Sequence, residues 1–189
     1  MRTVTYGAAC SLDGFITAAD GSLDWLHFST DVQQITGDYW AGIDTMLMGR
    51  KTWEVSVAMS GGARKAGARP KARKPSKPAI TTYVFSRTLR PDQVDGAELV
   101  SDGAGDFVRA LKARPGKGIC VMGGGILATS LLEAGVIDEV GLNAHPVLLG
   151  AGIPLFGDAG RRVPLELKES RVLDGGCVYS VYRVRGAAT

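Results

Sequence analysis

The stretch Gly118-Ile119-Cys120-Val121-Met122-Gly123-Gly124-Gly125-Ile126-Leu127-Ala128 decides how this chain of 189 residues is interpreted. An apolar run leads into three glycines, and a helix-like segment, Ala128–Ala134, follows them. A strand, a glycine turn and a helix start can form an anion site, because glycine lets the backbone approach a phosphate and the helix N-terminus offers free N–H groups. Such turns also occur for packing reasons, so other segments must decide whether a nucleotide binds here.

A second turn repeats this pattern. The apolar run Thr45–Met48 leads into Gly49, and Arg50, Lys51 and Thr52 open a polar helix start. Two cations and a hydroxyl at a helix N-terminus indicate a second anion site, although solvated basic residues at an ordinary helix start are the alternative. Two such turns in one small domain favour a pyrophosphate held between two helix N-termini.

A polar cluster of Ser86, Arg87 and Thr88 ends another strand-like run, Ala79–Ser86. At the carboxyl end of a strand in an α/β sheet, such a cluster lies on the ligand side. A guanidinium between two hydroxyls suits a phosphate monoester, such as the ribose 2′-phosphate that separates NADP from NAD. A solvated turn residue is the alternative for Arg87.

The glycine motif also matches the spacing of a Rossmann fingerprint, with Gly123, Gly125 and Ala128 in place. A Rossmann unit has an acidic residue at the end of the next strand, about twenty residues on. That region is Gly141-Leu142-Asn143-Ala144 and contains no acid. We therefore reject a Rossmann fold.

Strands and helices alternate along the chain, which predicts one α/β domain over residues 1–189 with a mainly parallel sheet. The predicted helices are Thr30–Ala41, Asp106–Ala113 and Ala128–Ala134, with Ser29 or Thr30 capping the first. The predicted strands are Arg2–Ser11, Phe15–Ile16, Thr45–Met48, Ala79–Ser86, Ala97–Val100, Gly118–Met122, one within Val136–Leu149, and Cys177–Arg185. We expect Glu166–Arg185 to form an antiparallel hairpin at the sheet edge on Asp174-Gly175-Gly176.

One segment, Gly61–Pro78, carries seven Lys and Arg residues and no acid, so removing it changes the net charge from +3 to −4. Its Pro, Gly and Ala content predicts a basic loop inserted in the single domain. The segment has no aromatic residue for base stacking, which argues against nucleic-acid binding.

Composition excludes several other classes of protein. There is no signal-peptide pattern and no apolar run long enough to span a membrane, so a cytoplasmic protein is expected. Cys10, Cys120 and Cys177 are scattered, which predicts buried reduced thiols. With His27 and His145 as the only histidines, no His-rich metal site is expected. His145 is interpreted as structural, with its ring bonded to backbone.

Taken together, these blocks resemble the dihydrofolate reductase-like superfamily, and within it the branch that contains the reductase domain of riboflavin biosynthesis. The matching blocks are Ala9–Ile16, Met48–Glu54, Val84–Thr88, Gly123–Gly125 with Leu131-Leu132, and Pro146–Gly150 with Ile153–Phe156. They span nearly the whole chain, and their joint match is specific although each block alone is weak.

The resemblance implies an eight-stranded mixed, mostly parallel sheet between helices, a three-layer arrangement, and a bacterial cytoplasmic reductase with NADPH as hydride donor. It places backbone at Ala8 and Ala9 beside the nicotinamide. It places Gly49, Arg50, Lys51, Thr52, Gly123, Gly124, Gly125 and Ile126 on the pyrophosphate, and Ser86, Arg87 and Thr88 on the 2′-phosphate. It also implies a homodimer to which Val178–Val184 could contribute, although a simple edge strand has the same alternation.

The substrate side leaves weaker signals. Asp13 is the best candidate for a catalytic polar group because the resemblance puts its turn beside the nicotinamide, but an Asp-Gly turn also exists for its own geometry. Asp31 is nearest to the carboxylate with which dihydrofolate reductases grip the pterin, without its usual spacing. Trp25 is a candidate for contact with a flat acceptor, with core packing as the alternative. No Lys or Arg stands between Ser22 and Gly49 to hold a ribosyl phosphate.

The sequence thus predicts an NADPH-dependent reductase of the 5-amino-6-(5-phosphoribosylamino)uracil reductase type, with its small-molecule substrate unassigned. Three alternatives stay open. One is a dihydrofolate reductase, or a nitro- or quinone-like reductase, on the same fold. Another is a nucleotide- or drug-binding module without turnover. The third is nucleic-acid binding through Gly61–Pro78.

Overall fold

A computed structural model describes residues 1–61, 80–158 and 160–186 of the chain. The predicted basic loop lies outside these residues from position 62 onward. None of the helices in the three described stretches combines the length and apolarity that crossing a bilayer requires.

The described residues form four helices and ten strands. In chain order they are β1 (Val4–Ser11), β2 (Phe15–Ala18), α1 (Thr30–Ala41), β3 (Ile43–Gly49), α2 (Arg50–Gly61), β4 (Thr81–Phe85), β5 (Glu98–Val100), α3 (Ala104–Ala113), β6 (Gly118–Met122), α4 (Gly125–Glu133), β7 (Glu139–His145), β8 (Gly152–Pro154), β9 (Leu165–Val172) and β10 (Val178–Val184). Ser29 caps α1, as the sequence predicts, because its hydroxyl accepts a hydrogen bond from the backbone N–H of Val32.

Eight strands form one sheet in the order β5-β4-β3-β6-β1-β7-β10-β9. The first six run parallel, and β10 is antiparallel to both β7 and β9. This confirms the expected eight-stranded mixed, mostly parallel sheet. The remaining strands, β2 and β8, pair with each other in a small second sheet. The sequence did not predict β8, because Gly152-Ile153-Pro154 is short and carries a proline that cannot donate to a ladder.

Alternation along the strands divides the core into two apolar layers. On β3, Leu47 packs in the cluster that contains Val108 of α3 and Leu131 of α4. Its neighbours Met46 and Met48 pack with Trp53 of α2 on the other side. Because successive side chains of a strand point to opposite faces, α3 and α4 lie on one face of the sheet and α2 lies on the other. This is the expected three-layer arrangement.

Two local predictions need correction. The helix after the glycine turn begins at Gly125 rather than Ala128, so the third glycine is helical and Gly124 is its N-cap. The predicted hairpin forms on Asp174–Gly176, but Val178–Val184 is not an edge strand, because it is hydrogen-bonded on both sides, to β7 and β9. Within this hairpin, β9 is the strand that lies at the edge of the sheet. The three cysteines are free and buried, as predicted.

Candidate functional site

The candidate site lies along one edge of the sheet, where five parallel neighbours end. In spatial order these strands are β4, β3, β6, β1 and β7, and each is about 4.8 Å from the next. The carboxyl ends of parallel strands share an edge, which is where open α/β sheets bind ligands. Each group of residues singled out on the cofactor side of the sequence stands at the end of one of these strands.

The two glycine turns meet at the centre of this edge. Gly123 and Gly124 have left-handed backbone conformations, with φ of 61° and 55°. A Cβ built on Gly123 would lie 2.7 Å from Oγ1 of Thr52, so glycine is required there by both conformation and space. The N-termini of α2 and α4 are thereby brought side by side, with Arg50 and Lys51 exposed next to them. The first turns of two helices therefore lie close together, and helix N-termini carry free N–H groups that favour an anion.

The third glycine of this turn is needed for a different reason. Gly125 is buried, and a Cβ built on it would lie 2.8 Å from the carbonyl oxygen of Pro154 in β8. Its side-chain position therefore faces protein, and only its backbone N–H remains to serve a ligand. The next residue, Ile126, is 83% exposed at the start of α4.

At the end of β4, the hydroxyl of Ser86 is engaged in its own turn. Its Oγ accepts hydrogen bonds from the backbone N–H groups of Thr88 at 3.2 Å and Leu89 at 3.1 Å. Arg87 is 85% exposed, and its Nε lies 3.7 Å from a carboxylate oxygen of Asp102. The guanidinium is therefore available for an anion, in competition with a weak surface ion pair.

Between β6 and β1 the sheet opens. The ladder of these strands ends at Gly7 and Met122, whereas β1 and β7 stay paired as far as Ser11 and His145. Ala8 and Ala9 therefore have one backbone side free of β6, directly above the glycine turn. This opening could admit a flat ring against the backbone of β1.

The carboxylate of Asp13 is bound by backbone. It accepts hydrogen bonds from the N–H of Leu149 at 3.1 Å and from the N–H of Gly150 at 2.7 Å. A hydrogen bond with Ser11 and these backbone bonds lower the pKa of Asp13. The residue ties the turn after β1 to the segment before β8, and its catalytic role stays a prediction.

Asp31 also has local partners. Its carboxylate accepts hydrogen bonds from the hydroxyl of Ser29 and from the backbone N–H groups of Val32 at 2.9 Å and Asp174 at 2.7 Å. The bond with Ser29, followed by that with Asp174, lowers its pKa. The residue joins the start of α1 to the turn between β9 and β10, and a role in binding substrate stays a prediction.

Trp25 is brought to the ends of β1 and β7. Its ring meets that of His145 edge to face, with centroids 5.3 Å apart. His145 is 2% exposed, and its Nδ1 accepts a hydrogen bond from the backbone N–H of His27 at 3.2 Å. This confirms that the His145 ring bonds to backbone. Burial, and then the proximity of His27, lower the pKa of His145.

Asn143 was not singled out from the sequence, and its amide Nδ2 lies 3.3 Å from Nε2 of His145. Asn143 pairs with Ala9 in the ladder of β1 and β7, so both side chains point to the same face. The available signal was a polar side chain inside the otherwise apolar run Val140–Ala144, in the segment searched only for an acid.

Comparison with known proteins identifies the family of the chain. The model of the RibD C-terminal domain family matches residues 2–179. An uncharacterized Bacillus subtilis protein, YyaP, is 34% identical over 189 residues, which cover 98% of this chain and 96% of that protein.

Two solved structures share the fold. One is a Thermotoga maritima diaminohydroxyphosphoribosylaminopyrimidine deaminase/5-amino-6-(5-phosphoribosylamino)uracil reductase, with a TM-score of 0.67 and 18% identity over 97% of this chain and 56% of that chain. The other is a dihydrofolate reductase from Enterococcus faecalis complexed with NADP(H), with a TM-score of 0.63 and 19% identity over 97% of this chain and 96% of that chain.

The molecule therefore has the dihydrofolate reductase-like fold. Within that fold, the chain belongs to the RibD C-terminal domain family.

Proposed function

We propose that this protein is an NADPH-dependent reductase of the riboflavin-biosynthesis reductase type. The observation that carries the proposal is the order of groups along the carboxyl edge. Arg87 stands at the end of β4, the paired helix N-termini at β3 and β6, and the open backbone of Ala8 and Ala9 at β1. A dinucleotide has its 2′-phosphate, pyrophosphate and nicotinamide in the same order, and three strand spacings give roughly 14 Å along the edge.

The residues present fit such a cofactor. Gly123 leaves open the space beside Thr52 that any other side chain would fill, and two helices begin beside that space. Exposed Arg50 and Lys51 add positive charge beside it, and Arg87 supplies a donor fork for a phosphate. When bound, NADPH would supply a hydride to an acceptor held beyond Ala9.

The substrate class follows from what flanks this position. The segment between Ser22 and Gly49 has no Lys or Arg, so it offers no cation for a ribosyl phosphate. The carboxylate of Asp31 is held by Ser29 and Asp174, so a pterin would compete with these partners. A flat, uncharged acceptor matches the site better than either a sugar phosphate or a folate.

Fluorescence titration of the purified protein with NADPH and NADH tests the cofactor. We expect clear preference for NADPH, followed by oxidation of bound NADPH when a suitable acceptor is added. Binding of neither nucleotide would refute the proposal. Tight NADPH binding with no oxidation by any of a broad set of acceptors would favour a binding module instead.

We further propose a homodimer formed through β9. In the described part of the chain, β10 is the one strand that pairs with β9, and three apolar side chains of β9 are exposed: Leu165, Leu167 and Val172. An edge strand with exposed apolar groups is a site for a second copy. Light scattering should report twice the mass of 19.9 kDa, and Leu167→Lys should return the protein to a monomer.

A further inference from the structure

The side chains beyond β1 and β7 form a hydrogen-bonded group whose protons can be assigned. A backbone N–H can only donate, so Nδ1 of His145, which receives the N–H of His27, carries no proton. The thiol of Cys177 lies 3.3 Å from the same nitrogen, and because that nitrogen carries no proton, the thiol can only donate to it. A neutral His145 therefore carries its proton on Nε2, which makes Nε2 a donor.

This assignment fixes the amide of Asn143. The amide group lies 3.3 Å from Nε2 of His145, and a donor at Nε2 requires an acceptor opposite. The oxygen and nitrogen of an amide have nearly the same shape, so the hydrogen-bond network decides which of them occupies that place. The oxygen of Asn143 therefore faces His145, and its NH2 group takes the other position, which is buried and has no partner in the described residues.

A second donor lies against the same ring. Nε1 of Trp25 is buried with no hydrogen-bond partner among the described residues, and the Trp25 ring contacts His145 edge to face. A buried donor without an acceptor destabilises the folded protein, because it has lost its hydrogen bond to water without gaining another. Two of them beside one histidine indicate a place where an acceptor is supplied by another molecule.

The position of these donors connects them with the proposed chemistry. Asn143 is the ladder partner of Ala9 and points to the same face of the sheet. Trp25 stands between β2 and α1, and its ring lies against His145, two residues beyond Asn143 on β7. Ala9 is where the proposed function puts the nicotinamide, so the donors lie where a hydride acceptor would be held.

We propose that Asn143 and Trp25 bind the ring carbonyl oxygen of the hydride acceptor, with His145 as the positioning residue for Asn143. The substrate class is a flat, uncharged heterocycle or quinone that carries a carbonyl conjugated with the carbon to be reduced. This inference rests on the proposed function for its chemistry, whereas binding of the carbonyl can be measured without turnover.

The donors also have a chemical role. When bound, NADPH would supply a hydride to the conjugated carbon and become NADP⁺, and the displaced π electron pair would move to the carbonyl oxygen. N–H groups directed at that oxygen stabilise its developing negative charge. The oxygen then takes a proton from water, which completes the reduction.

Matched ligands test the carbonyl. Menadione is a quinone, and methylnaphthalene has the same ring system without oxygens. Titration followed by tryptophan fluorescence should show menadione binding to the wild type at least tenfold more tightly than methylnaphthalene. Equal affinity for the two ligands, or no menadione binding at all, would overturn the proposal.

Matched variants test the donors. Trp25→Phe keeps an aromatic ring and removes the N–H, Asn143→Asp keeps the shape and removes the NH2, and Asn143→Leu removes both polar atoms. Each should weaken menadione about tenfold, in line with one hydrogen bond, while methylnaphthalene and NADPH bind as in the wild type. If Asn143→Leu does not fold, Asn143→Asp alone is compared with the wild type.

The outcomes separate this inference from the proposed function. Unchanged menadione affinity in Trp25→Phe and Asn143→Asp would overturn the inference even if NADPH binds well. Suppose that the wild type binds menadione but not NADPH. Weaker menadione binding in Trp25→Phe and Asn143→Asp would then support the carbonyl site and refute the reductase.

Discussion

The two halves of the carboxyl edge consist of different kinds of chemical groups. At β4, β3 and β6 the candidate site consists of main-chain turns and helix N-termini, and its main cation, Arg87, is 85% exposed. At β1 and β7 it consists of neutral, partly buried side chains around His145, which is 2% exposed. The first half can attract an anion through charge and backbone N–H groups. The second can select a ligand by shape and hydrogen-bond pattern, because its buried donors penalise a ligand that lacks an acceptor.

The largest effect is expected at the meeting point of the two glycine turns. Gly123→Ala places a Cβ 2.7 Å from Thr52 Oγ1 at a φ of 61°, so the turn or α2 must move. We expect NADPH affinity to fall about 100-fold or more, because the strain of the left-handed conformation, roughly 1–2 kcal/mol, adds to the loss of the anion site when the turn moves away from Thr52. The titration should be repeated with Gly135→Ala, which has a φ of 67° and open space around its Cβ. Equal loss in both variants would show that strain, rather than the anion site, is responsible.

A smaller and selective effect is expected at Arg87. Arg87→Ala should weaken NADPH by roughly 10- to 100-fold, the range of a charge-assisted hydrogen bond, and should leave NADH almost unchanged. Arg90→Ala, which removes a nearby exposed guanidinium paired with Asp92, is the control for general charge. Equal losses for NADPH and NADH would refute the role of Arg87 at the 2′-phosphate.

Asp13 should show a modest effect if it serves mainly as a tether. Asp13→Asn keeps an acceptor for one of the N–H groups of Leu149 and Gly150, so NADPH oxidation with menadione should fall less than tenfold. A proton donor contributes about 10²- to 10⁴-fold, so a loss of that size with a changed pH profile would assign Asp13 to catalysis.

The smallest effect is on the pH dependence of stability. The pKa of His145 is lowered from 6.5, first by burial and then by His27, so below about pH 6.5 the unfolded chain binds a proton that the folded protein excludes. Wild-type stability is therefore lost as the pH falls below about 6.5. His145→Gln lacks this loss, so its deficit in free energy of unfolding relative to the wild type should shrink between about pH 7.5 and pH 5.5.

Carboxylates do not obscure that window. Hydrogen bonding, with Ser11 as the largest cause, lowers the pKa of Asp13 from 3.8, and hydrogen bonding with Ser29 does the same for Asp31. The stability that these two carboxylates contribute is therefore lost only below about pH 4. Denaturant unfolding at several pH values measures the difference. A deficit that stays constant with pH would mean that His145 is not buried as a neutral ring.

The same contrast explains what the sequence could predict. Gly49–Thr52 and Gly123–Ile126 are short local patterns in which a strand, a turn and a helix start follow each other, so each half of the anion site is visible in a few residues. The eight-stranded mixed sheet was implied by the resemblance, whereas the spatial order of its strands was not predicted. By contrast, His27 and His145 meet across 118 positions, and Asp31 meets Asp174 across 143. No local periodicity encodes such contacts, so neither the partners of Asp31 nor the role of Asn143 could be predicted.

The most direct test of the proposed cofactor site is a crystal structure of the protein with NADPH. We expect the 2′-phosphate at Arg87, the pyrophosphate between the N-termini of α2 and α4 beside Gly123, and the nicotinamide against the backbone of Ala8 and Ala9. A nucleotide bound away from this edge, or bound along it in the reverse order, would refute the proposed cofactor site.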